Sequence, residues 1–284
     1  MREIAQSSMK DNDEFVINPP GKLSLGLSEI WQYRELFYFF TWRDVKVKYK
    51  QTVLGIFWAV LQPLFMMLIF TLFFSRGMGI QSTGLPYPLF VFSGLILWNL
   101  FSNGITNAGN SMVTNSNIIK KIYFPRLIIP ISSILSSLVD LCFAFIVFIG
   151  MLFWYSPSID ISSAILFWPL GILFSCIATF GPGCWLAALN IKYRDFRYVI
   201  PFLVQALLFL SPVIYPQMMV KQKWIEILLA LNPMYAAIEI FRAPFNGGMM
   251  NTEMVTISIV SGVIMLLTGI LYFKRTEMYF ADLS

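Results

Sequence analysis

Residues 53–74 form a run of 22 without a charged side chain, and a basic block containing Arg43, Lys46, Lys48 and Lys50 stands just before it. As an α-helix rising ~1.5 Å per residue, that run measures ~33 Å, enough to cross a ~30 Å hydrocarbon core. Lys and Arg collect on the cytoplasmic side of a spanning helix, so the block places the amino terminus inside. Five more apolar runs follow, at 87–109, 127–154, 164–189, 199–215 and 254–273. With six crossings, sixteen of the 20 Lys and Arg residues fall on inner segments, leaving Arg76, Lys221, Lys223 and Arg242 outside. That asymmetry predicts cytoplasmic placement for both termini. The 164–189 run is expected to break at Gly181-Pro182-Gly183, and the 199–215 run to be closed by Pro212 and Pro216.

Composition agrees with the apolar runs. Only 12% of residues are charged, against about 25% in a typical soluble domain, so the basic balance belongs to inner loops rather than to a nucleic-acid surface. The fold class expected is an all-α membrane protein of six transmembrane helices. An amino-terminal interfacial helix and a re-entrant or outer helical hairpin between the fifth and sixth helices would complete it. Residues 1–28 read as a flexible cytoplasmic arm, with no apolar core of a cleaved signal. Gly21-Lys22-Leu23-Ser24 lacks the first glycine and the preceding strand of a phosphate loop, so no nucleotide site is expected there.

Residues 29–52 read as an amphipathic interfacial or gate segment. Residues 29–41 are aromatic-rich and too short to span, and 45–50 alternate polar and apolar on a helical or extended surface stretch. The permease body is 53–273, followed by a cytoplasmic tail, 274–284. Two short apolar pieces, 224–231 and 236–242, flank Asn232-Pro233 and form the expected hairpin. The three cysteines all lie in apolar runs and read as small apolar filling.

Chemistry-bearing residues are few. The chain has no histidine, no carboxylate pair and no nucleophile–base set, which argues against an enzyme, and no metal site is expected. Asp140 is the carboxylate deep in a span, and no basic residue shares the membrane with it in this reading. Either it bonds a Ser or Thr on a neighbouring helix, or it belongs to a transport pathway. Rings and amides recur together: Phe57 and Trp58 with Gln62, Trp98 with Asn99, Trp185 with Asn190. Rings stack on apolar sugar faces and amides bond hydroxyls, so these are candidate pathway residues; belts at the membrane interface are the alternative. The loop VTNSNIIKKIYFPR, 113–126, puts isoleucines and aromatics beside Lys120 and Lys121. It suits either a partner-docking surface or a loop dipping into headgroups.

WRDVKVKYKQTVLGIFWAVLQPL, NIIKKIYFPR, NIKYRDFRYVIPF, LSPVIYP and LNPMYAAIEIFR together resemble the ABC-2 type permeases, in order from about residue 29 to the carboxyl terminus. The group most similar is the polysaccharide and O-antigen exporters of bacterial inner membranes. The resemblance implies a homodimer docked on two copies of a separate ATPase subunit, which binds ATP and magnesium, so this chain carries no cofactor of its own. It implies a coupling helix over Asn117, Ile118, Ile119, Lys120, Lys121, Ile122, Tyr123, Phe124, Pro125 and Arg126. Ile118, Ile122, Tyr123, Phe124 and Arg126 would transmit the ATPase stroke. The cargo implied is a glycan linked to undecaprenyl diphosphate. Arg43, Lys46, Lys48 and Lys50 would stand where its headgroup arrives, unless they serve only to set topology. Teichoic acid, drug or haem export remains open within the family, as does an ATP-independent lipid-linked glycan flippase outside it.

Overall fold

The computed structural model describes residues 27–50, 55, 57–80, 84–193, 195–216 and 222–277. The arm up to residue 26, the approach 51–54 and the tail beyond 277 therefore lie outside the described residues. Among those described there is no strand.

The amino-terminal segment is helical throughout: α1 (Leu27–Gln32) and α2 (Arg34–Lys50), so the alternation at 45–50 does not make a strand. The first crossing is α3 (Phe57–Phe70) continued by a π-helical stretch, Thr71–Gly77. The next long helices are α4 (Tyr87–Thr114) and, after the single turn α5 (Ser116–Ile119), α6 (Ile128–Tyr155). Then come α7 (Ile161–Lys192), α8 (Phe196–Phe209), α9 (Lys223–Ala230), α10 (Met234–Arg242) and α11 (Thr252–Glu277). At ~1.5 Å per residue the 28-residue α4 and α6 reach ~42 Å, longer than the ~30 Å core, so their ends emerge from it. Asp160 caps α7: its carboxylate accepts from Ser162 N at 3.1 Å and from the Ser163 hydroxyl, and that hydroxyl bond holds it below the usual carboxylate range.

Helix α4 is the hub. Leu89, Val91, Phe92, Leu97 and Ile105 are fully enclosed, and α3, α6, α7, α8 and α10 pack around it. By contrast only 17% of the apolar window in α3 and its π-helical end is covered, leaving Phe65, Leu72 and Phe73 outward.

Two expectations need correction. Helix α7 runs unbroken through Gly181-Pro182-Gly183 for 32 residues. The glycines there serve packing: a Cβ on Gly269 of α11 would overlap the Gly181 carbonyl, and one on Gly181 would fall 2.6 Å from the Leu266 nitrogen. Small residues let membrane helices approach this closely, and the buried setting tolerates the amide hydrogen lost at Pro182.

The fifth crossing is only partly helical. Helix α8 has 14 residues, ~21 Å, too short to span. The chain nevertheless follows α4 from Gly109, on which Ile200 packs, to Tyr87, whose hydroxyl donates to the Ile214 carbonyl at 2.8 Å. Residues 210–215 complete that path as a non-helical corner, and bare backbone at membrane depth must find partners inside the protein. Arg242, which charge counting assigns to an outer segment, supplies them. It is 3% exposed and donates to the carbonyls of Pro212 (2.6 Å), Val213 (3.2 Å) and Phe90 (2.8 Å) and to Ser93 Oγ (3.1 Å), with its guanidinium 3.7 Å from the Phe90 ring centre. Between the last two runs, the short helices Lys223–Ala230 and Met234–Phe245 meet at 98°, with Asn232 donating to Ser211 Oγ at 2.7 Å in the turn.

At the opposite end, α2, the 115–127 loop and the end of α11 meet. Phe40 packs against Phe124 with the rings tilted and centroids 5.7 Å apart, and the Arg126 amide donates to Glu277 Oε1 at 3.2 Å.

Candidate functional site

Helix α2 does more than lie beside the bundle. From the Phe40–Phe124 contact it climbs along α6, and its Lys48 ammonium donates to Asp140 Oδ2. Asp140 stands twelve residues into α6, ~18 Å along its axis. The Tyr49 hydroxyl donates to the other oxygen, Oδ1. The expectation that Asp140 lacks a basic partner, or bonds a Ser or Thr of a neighbouring helix, is therefore overturned. Its partners come from 91 and 92 residues earlier in the chain, a separation no local pattern reveals. The serines close to it on α6, Ser133, Ser136 and Ser137, instead donate to that helix's own carbonyls.

A cavity of about 560 Å³ opens over this ion pair. Trp58 and Gln62 reach it from α3, Asn99 and Asn103 from α4, Asp140 from α6, and Lys48 and Tyr49 from α2. Ile96, Leu100, Leu141 and Ala144 form its apolar floor. Four of the ring, amide and carboxylate candidates thus share one wall. Trp58 and Gln62 on α3, and Asn99 and Asn103 on α4, are each four residues apart, one helical turn, so each pair faces the same way. Asn103 escapes sequence reading because its link to Asn99 matters only once α4 is known to face α2.

The remaining pathway candidates go elsewhere. Trp98 is 5% exposed in the core against Phe101, centroids 5.1 Å apart. Phe57 points outward, and Trp185 is half-buried on α7 and absent from the cavity wall. The basic block also disperses. Arg43 pairs with Asp44 at 2.7 Å and lies over the Phe40 ring, Lys46 and Lys50 are exposed on α2, and among the described residues of the wall Lys48 is the cation.

In the loop after α4, helix is confined to Ser116–Ile119, so the expected coupling helix over 117–126 is one turn followed by an irregular strap. Asn117, Lys120, Lys121, Ile122 and Tyr123 are exposed, whereas Ile119, Phe124 and Pro125 are buried and Ile118 is half-buried. Arg126 turns back to the carboxyl end of α11, where its guanidinium donates to the Glu277 carbonyl oxygen. A shallow hollow of about 200 Å³ lies between Ile119 and Arg126.

A bundle of long apolar helices round a buried hub, with a cavity lined by polar and aromatic side chains and an exposed strap at one end, defines a multi-pass membrane protein. The profile of the ABC-2 type transporter matches residues 35–246. The chain belongs to that family. It is 30% identical over 243 residues to the O-antigen export system permease protein RfbA of Klebsiella pneumoniae, covering 85% of this chain and 92% of that one. It is 28% identical over 221 residues to the RfbA permease of Myxococcus xanthus (76% and 82% covered). Identity to the polysialic acid transport protein KpsM of Escherichia coli is 24% over 208 residues (70% and 77% covered).

Proposed function

We propose that this chain is the membrane subunit of an ATP-driven exporter carrying an undecaprenyl-diphosphate-linked polysaccharide, O-antigen or capsule, across the bacterial inner membrane. It works as a homodimer with two copies of a separate ATPase subunit, which holds ATP and magnesium. The observation that carries this reading is the similarity to an O-antigen export permease along 92% of that protein's length. The cavity supports it chemically. A cation, amides and an indole together suit an acidic headgroup joined to a sugar, since amides bond hydroxyls and a ring covers an apolar sugar face.

The strap supports the ATPase partner. Ile122 is 62% and Tyr123 55% exposed beside Lys120 and Lys121, a small apolar centre with a charged rim of the kind that protein docking uses. Force applied there has two routes inward: through Phe124 to Phe40 on α2, and through Arg126 to the end of α11. Helix α2 would then carry movement along α6 to the cavity.

Purification of the tagged chain from its own cells, followed by ATPase assay with and without lipid-linked glycan, tests the reading. A stoichiometric ATPase partner whose turnover rises with the glycan is expected. A chain that purifies alone and shows no nucleotide-dependent activity would point instead to an ATP-independent flippase.

A further inference from the structure

The Lys48–Asp140 pair is poorly explained as a support. A carboxylate and an ammonium at membrane depth each cost several kcal/mol to desolvate, and their mutual attraction commonly does no more than offset that. Packing α2 against α6 with apolar side chains would hold the two helices at least as well. The pair also does not sit in a sealed interface: the Lys48 side chain is 40% exposed, on the cavity wall, while Asp140 is 8% exposed. A buried acid is thus holding a cation that faces an open chamber.

We propose that Asp140 is a displaceable counter-ion, which holds Lys48 until an anionic phosphoryl group of the cargo takes that cation in its place, so that loading loosens the tie between α2 and α6. The inference rests on the export reading above and deepens it by naming a phosphoryl anion as the group recognised and Asp140 as its built-in competitor. Three observations carry it. Lys48 is the cation among the described residues of the wall. Asp140 has a second donor, the Tyr49 hydroxyl, which stays with it when Lys48 leaves. Asn99, Asn103 and Gln62 line the same chamber and can solvate whichever anion is momentarily without Lys48. Competition of this kind weakens cargo binding, and it also hastens release, because Asp140 reclaims the cation once the phosphoryl group moves on. No covalent bond is made or broken; one anion replaces another.

The test is equilibrium binding to the reconstituted complex in nanodiscs, with a short-chain polyprenyl diphosphate as probe. Asp140→Asn removes the competitor and is expected to tighten binding about tenfold, the worth of one charge-assisted hydrogen bond, while slowing export. Lys48→Gln is expected to abolish most of the binding. Tyr49→Phe weakens the refuge of Asp140 without touching either charge and should shift affinity in the direction opposite to Asp140→Asn, by a smaller factor. It therefore carries the test if Asp140→Asn does not fold. Inorganic diphosphate and phosphatidylglycerol vesicles identify the source of the anion. A gain for polyprenyl diphosphate alone assigns a lipid-linked cargo, and an equal gain for inorganic diphosphate assigns the bare phosphoryl group; either supports the exchange. Unchanged or weaker affinity in a well-folded Asp140→Asn complex overturns it. If that happens while glycan still stimulates the wild-type ATPase, only the exchange fails. A wild-type complex indifferent to glycan brings down the export reading itself.

Discussion

Arg242 shows how a single side chain can be misplaced by counting charges yet be central to the fold. Its four acceptors are three carbonyls and one hydroxyl, and the corner at 212–213 has no helix to satisfy it. Arg242→Leu should therefore leave buried acceptors without donors and cost about 3–5 kcal/mol, seen as a marked loss of folded protein and of thermal stability in detergent. Arg242→Lys should be intermediate, since an ammonium offers the charge without the planar fork of donors. At the other end of the bundle, Phe124 also departs from its sequence reading. It looked like a docking anchor, but at 4% exposure against Phe40 it belongs to the interior. The expected consequence is a split between adjacent positions. Tyr123→Asp should spare folding and lower ATPase co-purification at least about tenfold if it is a docking hot spot. Phe124→Asp should instead lower the amount of folded protein, because it buries a charge. Equal effects of the two on docking, with folding intact, would put the anchor back at Phe124.

Among the elements, periodicity and length located the long helices to within a few residues, because an apolar run of that size in this composition has few alternatives. What sequence could not show was how helices use their glycines and where α2 goes. Gly181-Pro182-Gly183 has the residues of a break, yet the decisive contact is with Gly269, 88 residues away, where backbone meets backbone. Gly269→Val should separate α7 from α11 and cost at least about 1–3 kcal/mol, read as a lower melting temperature. Gly150→Ala on α6, where a Cβ meets nothing within 4 Å, is the matched control and should melt like the wild type. The ascent of α2 was equally hidden. In the sequence Lys48 is one of four basic residues that either set topology or meet the headgroup, and only the pairing with Asp140 reveals that this one lies against α6. The candidate cavity was legible in part for the same reason. Residues of a suggestive type, Trp58, Gln62, Asn99 and Asp140, could be named, but Lys48, Tyr49 and Asn103 join them only through tertiary contact.

For the whole molecule, the number of crossings follows from which ends meet. Phe40 of α2 touches Phe124, and Arg126, two residues on, bonds to Glu277 at the end of α11, so the amino-terminal helix and the last helix finish at one end of the bundle. That requires an even number of passages between them. Five are the long helices at Phe57–Gly77, Tyr87–Thr114, Ile128–Tyr155, Ile161–Lys192 and Thr252–Glu277. The sixth candidate is either the bent pair Lys223–Ala230 and Met234–Phe245 or the path of α8 and its corner, and the latter is favoured because it runs from Gly109 to Tyr87 alongside α4. The charge asymmetry then predicts that Lys120, Lys121, Lys274 and Arg275 face the cytoplasm. Cysteine accessibility can check this directly in a variant lacking the three native cysteines. Ile122→Cys, on the strap, should react with a membrane-impermeant maleimide only after the inner membrane is opened. Met249→Cys, 80% exposed just before α11, should react from outside in intact spheroplasts. If both positions react from the same side, the path of α8 turns back within the membrane, the count falls to five, and the strap could no longer face a cytoplasmic ATPase while the start of α11 faces out.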